Sequence, residues 1–140
     1  MFMVTRVFVY GTLMNGECNH HWMRGAVFLG ATRSAPQFSL WSLSTYPVLC
    51  LAGKGSVYGE VYRISAQKLR QLDLLEEYPR YYHRARLRTR FGVAWFYYQL
   101  QPPPGSHRLP GGNWRRRGMR PLRRDGFESV AAHQGLCDLA

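Results

Sequence analysis

Lysine, acid and cysteine are all scarce in this chain. Only Lys54 and Lys68 of its nineteen basic residues are lysine, and eight acids leave a net charge of +11 over 140 residues. A surplus of that sign suits an anionic small molecule or a polyanionic partner. It is spread along the chain, +8 over residues 1–114 and +3 over residues 115–140, which argues against a single nucleic-acid-binding arm. Cys18, Cys50 and Cys137 are odd in number and far apart. That excludes a disulfide framework and reads as free thiols in a reducing, cytoplasmic setting.

Long apolar runs are missing too. None approaches the roughly 20 residues that a membrane helix requires, so no membrane partner is expected. The early run Val7-Phe8-Val9 meets Gly11 and Asn15-Gly16 too soon to form a signal-type core. No repeat is visible. No metal-ligand spacing stands out either: His20-His21 lies beside Cys18 and Glu17, but adjacent histidines rarely share one ion and no second cluster completes four ligands. That segment reads as the polar start of a helical turn over 19–24, and no metal is expected.

What the chain does have is aromatic and aliphatic bulk. Nine tyrosines, seven phenylalanines and four tryptophans within 46% hydrophobic residues support one domain with a real core. Val7 to Tyr10 reads as a buried strand feeding a glycine loop, and β-prone stretches follow at 27–33, 38–43, 46–51 and 56–64. Ser65 is placed to cap a helix from Ala66 to about Glu77, which Pro79 stops. His83–Thr89 and Val93–Leu100 form a hairpin around Gly92. Past Gln101 the run Pro102-Pro103-Pro104-Gly105 breaks the texture, and residues 105–125 are rich in Gly, Pro and Arg without periodicity. The expectation is a β-rich α+β, barrel-like domain over 1–114 with one main helix. Residues 115–140 are expected as a poorly ordered basic tail.

Two features bear on chemistry. A strand ending in Tyr10-Gly11-Thr12-Leu13 turns where glycine permits unusual backbone angles, and successive N–H groups there make an anion-binding nest. An ordinary strand-end turn explains the same four residues. At about 100° per residue, Glu76 falls about 20° from Leu69 and about 40° from Leu72, within the buried stripe Leu69, Leu72, Leu75. Glu77 falls roughly 140° away and should face solvent. A carboxyl on an apolar face near a helix C-terminus has its pKa raised toward neutrality, where it can accept and donate a proton. The competing reading is a buried ion pair between Glu76 and Arg84. Tyr82 and Tyr98 are candidates for the pocket wall, although core aromatics need no function.

Four segments occur in order: Phe8–Gly16 (FVYGTLMNG); Tyr46-Pro47 with Gly55–Tyr62 (GSVYGEVY); Leu72–Glu76 (LDLLE) with Tyr81-Tyr82-His83-Arg84; and Gly111-Gly112-Asn113-Trp114. Together, over residues 5–114, they resemble the γ-glutamylcyclotransferase-like family, which includes γ-glutamylamine cyclotransferases, AIG2-like proteins and BtrG. The resemblance implies a small mixed β-barrel-like α+β fold and a cofactor-independent enzyme acting on a γ-glutamyl small molecule. It implies that Tyr10, Gly11, Thr12 and Leu13 bind the substrate's α-carboxylate. Its α-amine then attacks its own γ-carbonyl, forming 5-oxoproline, with Glu76 as general acid/base. Glu77 stands where the family often has glycine. The alternative is a non-catalytic basic module on the same fold that binds RNA or an acidic partner, through Arg115-Arg116-Arg117 or the alternating Arg84, Arg86 and Arg88 with Tyr97 or Tyr98 stacking on bases.

Overall fold

In a computed structural model that describes residues 4–118, strand β1 (Thr5–Val9) occupies the middle of a five-stranded sheet. It runs antiparallel to β5 (Tyr58–Ile64), pairing Val7 with Tyr62, and parallel to β7 (Gly92–Tyr98), pairing Val7 with Trp95. With β2 (Val27–Arg33) and β6 (His83–Thr89) the order is β2-β5-β1-β7-β6. A strand paired on both edges and covered on both faces must be apolar throughout; Val7, Phe8 and Val9 are all buried.

Side chains alternate across β1, and so do the two halves of the core. Val7 and Val9 join Tyr62, Leu72, Tyr82 and Tyr97 in one cluster. Phe8 and Tyr10 join Phe38, Leu40, Leu49, Val61 and Phe96 in the other. The latter lies toward a second sheet, ordered β4-β3-β8, of β3 (Phe38–Ser42), β4 (Pro47–Gly55) and β8 (His107–Arg108). A parallel bridge between Cys50 and Gln99 links the sheets. The fold is α+β as expected, but the described residues form two sheets rather than one closed barrel. Gly59 matters here because a Cβ would lie 2.5 Å from the Val9 carbonyl oxygen of β1.

Helix α1 (Ala66–Leu75) follows β5 directly, and the Ser65 hydroxyl caps it by accepting from the Lys68 N–H at 3.0 Å. Leu72 is completely buried, with Leu69 and Leu75 packed at the edge of the same cluster. The helix ends two residues before the expected limit. Its terminus is a Schellman arrangement: Tyr78 N–H donates to Asp73 O at 2.9 Å and Glu77 N–H to Leu74 O at 3.2 Å. Glu77 takes the left-handed position at φ +52°.

The segment read as aperiodic holds β8, whose two residues pair with Trp41 and Ser42. It was missed because two residues carry no period. The short helical turn appears as a 3-10 turn at His20–Met23. Cys50 is a free, buried thiol as expected, whereas Cys18 is disulfide-bonded; Cys137 lies outside the described residues, as does most of the expected tail.

Candidate active site

The end of β1 and the end of α1 meet over one cavity of about 270 Å³. Its wall carries Tyr10, Gly11, Thr12 and Leu13 from the loop, Leu75, Glu76 and Glu77 from the helix end, and Tyr46, Pro47, Tyr81, Tyr82 and Tyr97 around them. Five of the six sequence-selected binding positions therefore line one space with Glu76. Tyr98 does not. It stacks with His83 and Phe96, each at 5.6 Å between ring centres, on the opposite face of β7. Tyr97 takes the cavity position, because one residue along a strand changes face.

The loop is built from the inside. Its carbonyls are tied back: Gly11 O accepts from Met14 N–H at 3.1 Å and Thr12 O from Asn19 N–H at 2.9 Å, and His20 Nδ1 meets Leu13 O at 2.9 Å. Asn19 Nδ2 donates to the Thr12 hydroxyl at 3.1 Å. The N–H groups of Gly11, Thr12 and Leu13 donate to no group among the described residues, although all three residues are buried. Buried amides need acceptors, and the residues that carry these three line the cavity. The glycine is required for a reason other than the expected one. Gly11 is outside the left-handed region, but a Cβ on it would meet Pro47 Cγ at 2.5 Å. Tyr46-Pro47 packs directly on the loop.

The loop's outer end is clamped by a second glutamate. Glu60 on β5 is buried, and its carboxylate accepts from Asn15 N–H at 2.8 Å and Tyr62 Oη at 2.9 Å. Arg115 pairs with it at 3.1 Å, donates to Asn15 O at 2.7 Å and reaches Glu17 at 3.2 Å. Arg117 also pairs with Glu17, at 3.1 Å. Two members of the Arg115–Arg117 trio thus hold the fold together. Neither the trio nor the Glu60 contact was assigned this role from sequence, since 55 residues separate the partners.

Glu76 has the opposite surroundings. No hydrogen bond or ion pair reaches its carboxyl among the described residues. Arg84, the expected ion-pair partner, bonds Asp73 instead and lies over the Tyr78 and Trp95 rings. Asp73 also accepts from Tyr97 Oη at 2.8 Å. Burial without compensation pushes the Glu76 carboxyl from 4.5 up to about 7. Burial also raises the phenols of Tyr10, Tyr46, Tyr82 and Tyr97, and the Glu76 charge adds to each. The site is thus a carboxyl poised near neutrality, among tyrosines that stay protonated, in the same cavity wall as three loop amides without a partner among the described residues. It can bind a carboxylate and pass a proton.

The fold places the loop after β1 and the end of α1 around one cavity. The family model for γ-glutamyl cyclotransferases of the AIG2-like type matches residues 7–116, and the chain belongs to that family. The γ-glutamylcyclotransferase family protein YtfP of Escherichia coli K12 is 39% identical over 109 residues, covering 78% of this chain and 95% of that protein. The γ-L-glutamyl-butirosin B γ-glutamyl cyclotransferase of Niallia circulans is 40% identical over 72 residues, 51% of this chain and 46% of that one. Among solved structures, an AIG2-like protein of Mus musculus superposes with a TM-score of 0.72 at 25% identity, covering 89% of this chain and 99% of that one. Family membership supports γ-glutamyl cyclotransferase-type activity. Among the described residues no helix is long and apolar enough to cross a membrane.

Proposed function

We propose that the protein cyclises a γ-glutamyl amine to 5-oxoproline and releases the free amine, with Glu76 carrying the protons. The observation that carries this reading is an unpaired carboxyl, raised to about 7, in the same cavity wall as three unpaired loop amides.

The substrate's α-carboxylate accepts from the amides of Gly11, Thr12 and Leu13, a charge-assisted contact that fixes one end of the molecule. The chain then folds so that its α-nitrogen meets its γ-carbonyl carbon. Ring closure within one molecule gains its rate from orientation, so the protein need supply only position and proton transfer. The new N–C bond forms and the amide C–N bond breaks. From the neutral amine, the ring nitrogen loses one proton and the leaving nitrogen gains one, with no water consumed. Glu76 as carboxylate takes the first and as carboxylic acid gives the second. Tyr82 and Tyr97 hold the walls: Tyr82 Oη donates to Pro47 O at 2.8 Å, and Tyr97 Oη donates to Asp73 at 2.8 Å.

Replacing Glu76 by Gln keeps the shape and removes the proton carrier. Turnover of a γ-glutamyl amine, followed as 5-oxoproline release, is expected to fall about 10³-fold. A variant that keeps full rate, or a wild-type protein inactive on a varied γ-glutamyl panel, would overturn the proposal.

A further inference from the structure

Glu76 lies among groups that could neutralise it, and each is engaged elsewhere. Tyr10 Oη donates to Tyr97 O at 2.6 Å, and Tyr82 Oη to Pro47 O at 2.8 Å. The hydroxyls of Tyr46 and Tyr81 bond each other. Tyr97 Oη donates to Asp73 Oδ1 at 2.8 Å, and Arg84 Nη1 bonds Asp73 Oδ2. The other charged side chain of the described wall, Glu77, is itself an acid.

Two of these contacts converge on one carboxylate. Arg84 on β6 and Tyr97 on β7 are register partners, so their side chains rise from the same sheet face. Asp73, on the last turn of α1, takes one on each oxygen. Asp73 and Glu76 are three residues apart, a spacing that puts side chains next to each other on a helix surface. Either group, once released from Asp73, is therefore one short step from Glu76. Both would stabilise its carboxylate and drive its proton off. Tyr97 already feels the Glu76 charge, after burial and the Asp73 contacts. Arg84 has a donor to spare, since its Nε is buried without a hydrogen-bond partner among the described residues. The Tyr78 and Trp95 rings, 4.5 and 4.6 Å from its Cζ, steady the guanidinium in place.

We infer that Asp73 is a positioning residue: one oxygen holds Arg84, the other holds Tyr97, and Glu76 is thereby left unpaired to take and return a proton. Its bearing on turnover rests on the proposed cyclisation; the holding of two groups off Glu76 does not. An ion pair that merely braced β6 against α1 would leave the titration of Glu76 indifferent to which groups Asp73 releases.

Carboxyl-carbon NMR across pH, in protein with isotope-labelled glutamate, reads Glu76 directly, its signal assigned by loss in Glu76→Gln. The wild-type midpoint is expected at about 7. Asp73→Ala frees both partners, and the midpoint should fall to between about 4 and 6. Adding Arg84→Met and Tyr97→Phe to Asp73→Ala removes the freed groups, and the midpoint should return to about 7. Loosened packing alone would wet Glu76 in both variants and lower both midpoints. Where the triple variant fails to fold, Asp73→Asn with and without Arg84→Met repeats the comparison, because asparagine still accepts from Tyr97 and frees only Arg84. The acid limb of kcat for 5-oxoproline release should follow the same midpoints. A midpoint unmoved in Asp73→Ala and Asp73→Asn, or one that stays low once the freed groups are removed, overturns the inference. Midpoints that move as expected in a protein releasing no 5-oxoproline from any γ-glutamyl amine overturn the cyclisation and leave the inference standing. A wild-type midpoint near 4.5 overturns both.

Discussion

Glu60 and Glu76 flank the same loop and have opposite fates. Glu60 is surrounded by an arginine, a phenol and a backbone amide, all within 3.1 Å. Glu76 has no such partner among the described residues, and burial lifts it to about 7. Satisfied, a buried carboxylate is a structural strut; unsatisfied, it becomes a titrating group. The difference lies in where the arginines go. Arg115 is committed to Glu60 and Arg84 to Asp73, so neither neutralises Glu76.

The comparison can be broken at either glutamate. The largest expected effect is on stability at Glu76. Between pH 4.5 and 7 the folded chain binds more protons at this site than the unfolded chain, so stability falls as pH rises through that window. Glu76→Gln should therefore be more stable than wild type at pH 8, by on the order of 3 kcal/mol, and similar to it below pH 4.5. Denaturant midpoints across pH measure it, and a difference independent of pH would contradict the unpaired state.

At Glu60 the sign reverses. Arg115→Ala leaves a buried carboxylate short of its charge partner and frees the loop's outer end at Asn15. Stability should drop by about 2 kcal/mol, with KM for the γ-glutamyl substrate rising more than kcat falls. An unchanged KM would show that the clamp does not reach the loop amides. The smallest effect is at Glu77→Gly, which removes a strained, dipole-opposed residue and should raise the unfolding free energy by about 1 kcal/mol.

Much of this was legible in the sequence, and the misses have physical causes. The strands and the helix were readable because apolar period and turn residues agree there. Glu76 was found by helix phase, which holds as far as the C-cap. One residue further the backbone turns left-handed, and Glu77 is exposed as the wheel placed it, at the rim of the cavity. Tyr98 was chosen where Tyr97 lines the cavity, since a run of strand aromatics does not reveal its own facing. Gly11 was singled out for its backbone freedom, yet what requires it is Pro47, 36 positions away in the chain and invisible to local reasoning. The Glu60–Arg115 clamp had no local signal at all.

The proposed role of Glu76 as a proton carrier poised near neutrality is tested most directly by the pH dependence of kcat on a γ-glutamyl amine. The rate should fall on the acidic side with a midpoint at about 7, where the carboxyl takes up its proton. A midpoint near 4.5, the value of an ordinary glutamate, or a rate that stays flat from pH 5 to pH 8, would contradict it.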